Sequence, residues 1–122
     1  MKDAKNVFGQ PLEICSKRPL TGFNRDGACF SSGDDYEIQA ICIQASKEFL
    51  EYSKSVGNDL TEPNFQYNFY GLKPNQFWCL SAERFIQAHN DSFAPKINLH
   101  ATHDKILDMI DLETLKSYAL DF

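Results

Sequence analysis

The sequence has no apolar run approaching the roughly 20 residues that span a bilayer, and its first stretch, MKDAKNVFGQPLE, lacks the apolar core of a secretory signal. These absences lead to the expectation of a cytoplasmic protein with no membrane partner. Positive charge is also short, since 12 Lys and Arg stand against 17 Asp and Glu for a net −5. Its cations are scattered, so phosphate backbones repel it and nucleic acid is not an expected partner. No CxxC pair occurs. Cys15, Cys29, Cys42 and Cys79 are separated by 14, 13 and 37 positions, which fits neither a metal knuckle nor a thioredoxin-like motif. Internal repeats, low-complexity tracts and linker-like composition are missing as well. No cofactor and no metal ligand set is expected.

What remains is a chain of 122 residues, 43% apolar and 13% aromatic, with 10 of the aromatics Phe. That length suits one domain over residues 1–122, large enough to bury about two-thirds of its unfolded surface. Residues 6–35 are rich in Gly and Pro and carry little periodicity, a length that compact domains reserve for functional or core-wrapping segments. Residues 37–44 read as a strand covered on both faces, hence a central one. Ser46 caps a helix carrying Phe49, Leu50, Ser53 and Val56, which Gly57 ends. Phe65, Tyr67 and Phe69 alternate with polar residues as in an extended segment, and residues 71–75 form a turn with Pro74 and Asn75 at its corner. Residues 77–80 are a second strand, Ser81 caps a short helix, and residues 96–101 alternate as a third strand. Helical patterns follow from Thr102 and, capped by Asp111, to the C-terminus. Helices this few and short do not cover both faces of a doubly wound sheet. The fold class expected is α+β, two-layered, with a small sheet and short helices packed mainly on one face.

Several multi-residue blocks occur in order: Asn6-Val7 to Pro11-Leu12, Cys15-Ser16, Pro19 to Gly27 (PLTGFNRDG), Cys29, Phe49-Leu50 and Gly57-Asn58-Asp59-Leu60. They continue through Gly71-Leu72-Lys73-Pro74, Trp78-Cys79-Leu80, Arg84, Ala94-Pro95 and Ala101-Thr102-His103. Through these blocks the chain resembles, over nearly its whole length, the bacterial family known as domain of unknown function 2237. The resemblance implies a stand-alone α+β domain and no established activity, substrate or cofactor. Ser81 departs from the family pattern, which has a second cysteine there, so a metal or redox site needing that thiol is not expected.

Three functional readings follow from the residues. The first is a binding domain for a small anionic ligand. Arg25 and Asp26, between Gly22 and Gly27, would form its loop, because a planar guanidinium forks onto carboxylate or phosphate. Lys73, Arg84 and His103 would line its wall. The second is a thiol enzyme with Cys29 or Cys15 as nucleophile and His103 as base, the helix start keeping that imidazole neutral. The plainer alternatives are a turn-internal Arg25–Asp26 pair, a His103 bonded to its own turn, and cysteines that stay reduced in the cytosol. On that last reading Cys42 and Cys79 pack in the core while Cys15 and Cys29 are more accessible; in a secreted chain the four would permit three disulfide pairings. The spacing His100-x-x-His103 is not a zincin pattern. The third reading is an interaction module in which the aromatic residues 65–70 form a homodimer patch, leaving monomer and homodimer both open.

Overall fold

The computed structural model describes residues 4–21, 27–29, 39–63 and 71–122. Ile41, Cys42 and Ile43 are all buried, as a strand demands when material packs above and below it. They belong to β1 (Ile41–Gln44), the middle strand of a three-stranded antiparallel sheet between β2 (Phe77–Leu80) and β3 (Lys96–Ile97). Successive side chains alternate between faces, and the register shows what each face does. Ile41 lies opposite Leu80, and Ile43 opposite Trp78 and Ile97; these belong to the main apolar core. Cys42 lies opposite Cys79, on the other face, in a separate cluster with Cys15, Cys29, Ala101 and Phe77.

The helices serve the first face. In α1 (Lys47–Ser55) the Ser46 hydroxyl accepts from the Phe49 N–H at 3.0 Å, and Phe49 and Leu50 are buried in the main core. In α2 (Ala82–Asn90) Ser81 accepts from the Arg84 N–H at 3.2 Å, and Ala82, Phe85 and Ala88 pack into the same core. The α+β architecture with helices on one face is thus the one the sequence pattern predicts. α3 (Leu112–Lys116) starts at Asp111, whose carboxylate accepts from the Thr114 N–H at 2.9 Å, and it buries Leu115. Among the described residues no helix is long and apolar enough to cross a membrane.

Several elements are shorter than their periodicity suggests: β1 starts only at Ile41, and α3 stops at Lys116, short of the C-terminus. The alternation over residues 96–101 yields only two residues of β3 before a 3₁₀ turn, Leu99–Ala101. The Asp121 carboxylate is the cause: it takes the Leu99 and His100 N–H groups at 2.7 and 2.9 Å and the His100 ring at 2.6 Å, so ladder donors leave the ladder. The free edge of β3 is covered by the returning chain, with the Leu120 N–H on the Ile97 carbonyl at 2.8 Å and the Ile97 N–H on that of Tyr118 at 2.9 Å. After Thr102 the helical pattern becomes a 3₁₀ stretch, Asp104–Asp108. The segment 65–70 lies outside the described residues.

The cysteines are the main correction. Cys15 is bonded to Cys42 and Cys29 to Cys79, and Cys29, read as accessible, is fully buried. The physical reason lies at Gly27. Its carbonyl accepts the N–H groups of Cys15 and Ser16 at 2.7 and 3.1 Å, and a Cβ there would sit 2.9 Å from the Ser16 carbonyl oxygen. With φ at +92°, that approach suits glycine alone. It draws the Cys29 segment against the Cys15 segment over the sheet face that carries Cys42 and Cys79.

Candidate functional site

Lys73 stands on a turn whose chemistry is fully local. Pro74 and Asn75 occupy its corner, Asn75 has φ +75°, and the Gln76 N–H closes on the Lys73 carbonyl at 3.1 Å. That is a type II turn with proline and asparagine at the positions they favour. Neighbouring bonds hold it in place: the Leu72 N–H meets the Leu60 carbonyl, the Asn75 N–H meets that of Ala45, and the Lys73 N–H meets Gln76 Oε1 at 2.9 Å. Gly71, with φ +90°, passes so close to the Thr61 carbonyl oxygen that a Cβ would lie 2.4 Å from it.

Two grooves meet at Gly71 and Lys73. One, of about 450 Å³, runs between this turn and the face of α1 carrying Lys47, Leu50, Glu51 and Lys54. The other, of about 400 Å³, runs between the turn and the Lys17–Leu20 bend, with Lys17 and Arg18 on its wall. Both volumes fall within the range of small-molecule sites. Among the described residues five Lys and Arg line the pair, and Glu51 is the one acid. None of the five cations forms an ion pair with another described residue. Asp59, close by, is occupied at Thr61: hydrogen bonds from the Thr61 hydroxyl and N–H lead the causes that hold its carboxyl below the usual range, with Lys54 contributing.

The residues expected to share one wall are divided. Arg25 and Asp26 lie outside the described residues. Arg84 lines a different cavity, of about 250 Å³, with Trp78, Ser81 and Asn58, and its Nη1 donates to the Val56 carbonyl at 3.3 Å and Gln87 Oε1 at 3.2 Å. His103 pairs with the N-terminal segment across from Asn6. The cations of the grooves other than Lys73 escaped sequence reasoning, because Lys17 and Arg18 are 29 or more positions from Lys47 and only the turns bring them together.

His103 behaves as the helix-start residue weighed above. It is the N-cap of the Asp104–Asp108 turn, and its Nδ1 accepts from the Lys105 N–H at 3.0 Å. Burial pushes its pKa below the ordinary 6.5, against the opposing pull of Asp104. Because the unfolded chain takes the proton more readily, stability contributed by neutral His103 is present above about 6.5 and falls as the pH descends toward the lowered folded value. Urea midpoints measured across that window are expected to drop on acidification, and His103→Asn, which keeps a capping acceptor, is expected to flatten the drop. An unchanged slope in the variant contradicts this assignment. Cys29 as nucleophile requires that the Cys29–Cys79 bridge be opened first.

No curated protein sequence matches the chain. A family model does, over residues 5–119. That span takes in β1 to β3, both Lys73 grooves and all four cysteines, and the chain therefore belongs to the family described as uncharacterized protein conserved in bacteria (DUF2237).

Proposed function

We propose that this protein binds a small organic anion at the two grooves that meet at Lys73. The observation that carries the reading is the gathering of Lys17, Arg18, Lys47, Lys54 and Lys73 around one turn in a chain of net charge −5. Like charges brought together repel one another, the more so as no described acid pairs with them, and a bound anion relieves that repulsion. Leu50, Leu72 and Pro74 in the larger groove give an apolar surface beside the cations. The ligand class supported is therefore a carboxylate or phosphate ester with an apolar portion, its charge at Lys73 and its body along α1.

A thermal-shift panel of phosphate, sulfate, citrate, benzoate and phenyl phosphate tests the reading. At least one organic anion is expected to stabilise the parent protein. Lys73→Ala is expected to weaken that anion about tenfold, ~1.4 kcal/mol, with a loss that shrinks at high salt. Lys96→Ala removes an equal charge from an exposed site on β3 outside these grooves, and is expected to leave binding as it was. Equal responses from parent and Lys73→Ala across the panel would remove the idea.

A further inference from the structure

We infer that the four cysteines, once reduced, form a tetrathiolate site for a single Zn²⁺ ion. The Sγ atoms of Cys15, Cys29 and Cys79 all lie within 4.8 Å of one another, and Cys42 Sγ is bonded to that of Cys15. All four side chains are buried in one small cluster with Ala101, against Phe77. In a tetrahedral zinc site with Zn–S near ~2.3 Å, ligand sulfurs sit about 3.8 Å apart. Cys15 Sγ therefore needs to approach those of Cys29 and Cys79 by about 1 Å or less, while side-chain rotation parts the sulfurs of each opened bridge and turns Cys42 Sγ, released from Cys15, toward the same point.

Spacing along the chain concealed this set, because no two of the cysteines share a knuckle. The fold supplies what the spacing lacks. Cys42 and Cys79 are cross-strand partners on one sheet face, and Gly27 holds the segments of Cys15 and Cys29 over them. Two buried threonines fix the backbone of the strand pair: Thr102 Oγ1 accepts from the Cys42 N–H at 3.2 Å and Thr21 Oγ1 from the Cys79 N–H at 2.9 Å. Four soft sulfur donors with no carboxylate or imidazole among them favour zinc over magnesium, calcium or manganese. Neither His100 nor His103 joins the cluster.

The chemistry balances with a dithiol reductant. Each bridge takes two electrons and two protons from one dithiol, which leaves as its own cyclic disulfide, so two equivalents produce four thiols. Zinc then binds the thiolates and releases their protons to solvent, up to four per ion. Disulfides and zinc are thus alternative staples for the same four residues, chosen by the reducing power of the surroundings.

Cobalt titration of the full chain, reduced with a phosphine under argon and freed of metals, tests the inference. The expected result is a one-to-one endpoint with the intense visible bands of tetrahedral cobalt thiolate, bleached by one equivalent of zinc. The oxidised protein is expected to take up none. Cys42→Ser is expected to weaken cobalt binding more than about tenfold and to lower the sulfur-to-cobalt charge-transfer intensity. If reduction unfolds the chain, recovery of its circular dichroism on adding zinc supports the site equally well. Failure of the reduced chain to take up cobalt, a pale six-coordinate spectrum, or a Cys42→Ser variant that matches the parent would overturn it.

Discussion

Opening either disulfide in chelator-treated buffer is expected to lower the unfolding free energy by about 2–4 kcal/mol. The Cys15–Cys42 bridge spans 27 positions and the Cys29–Cys79 bridge 50. By loop-closure entropy these correspond to about 3.5 and about 4 kcal/mol, in a model that native strain and residual unfolded structure usually reduce. The two loops overlap between residues 29 and 42, so losing both is expected to cost less than the sum. Against a total of about 5–15 kcal/mol for a typical domain, either loss is large. Urea unfolding followed by the fluorescence of Trp78, the chain's one tryptophan, is the measurement, with Cys29→Ser compared against the oxidised parent. Coincident midpoints would show that the bridges do not hold the folded state. The chelator matters, because zinc is expected to return part of the lost stability to the reduced parent.

Gly71→Ala is the second large effect, at about 3 kcal/mol or more. Two causes add. A left-handed backbone at φ +90° costs an L-residue about 1–2 kcal/mol, and the new Cβ would lie 2.4 Å from the Thr61 carbonyl oxygen, backbone that cannot swing away as a flexible side chain does. Gly57→Ala separates the causes, since Gly57 has the same φ of +90° and open space around it. It is expected to cost only the conformational part, about 1–2 kcal/mol. Differential scanning calorimetry of the two variants checks the ranking. Equal losses would mean that the close approach at Thr61 contributes nothing. Gly71 also lies where the two grooves meet, so this substitution is expected to weaken anion binding as well as stability, whereas Gly57→Ala is expected to affect stability alone.

Local signals were legible where a residue acts on its own neighbours. Ser46, Ser81 and Asp111 cap the helices that their positions predict, and Pro74-Asn75 builds its turn. The covered strand around Ile41 to Ile43 is central to the sheet, and residues 77–80 pair with it. Legibility ended where a distant group competes for the backbone. The alternation of Ile97, Leu99 and Ala101 predicts a strand through residue 101, yet the Asp121 carboxylate, 22 positions from Leu99, takes its amide. The cysteines show the same limit. Nothing in separations of 14, 13 and 37 positions tells which sulfurs meet, because the answer depends on the crossing of Gly27 over Cys15 and on strand register. Of the cations lining the two grooves, Lys73 stands out in the sequence on its turn, whereas Lys17, Arg18, Lys47 and Lys54 belong to a helix face and a bend that only the fold brings beside it.

The claim that the cations gathered around Lys73, which form no ion pair among the described residues, make a ligand site is tested most directly by amide NMR. Phenyl phosphate titrated into the ¹⁵N-labelled oxidised protein is expected to move the amides of Gly71, Leu72 and Lys73 together with those of Lys47, Leu50 and Thr61, saturating along one curve and reversing with salt. Shifts centred on Arg84 or His103 instead, or small changes spread over the surface without saturation, would contradict it.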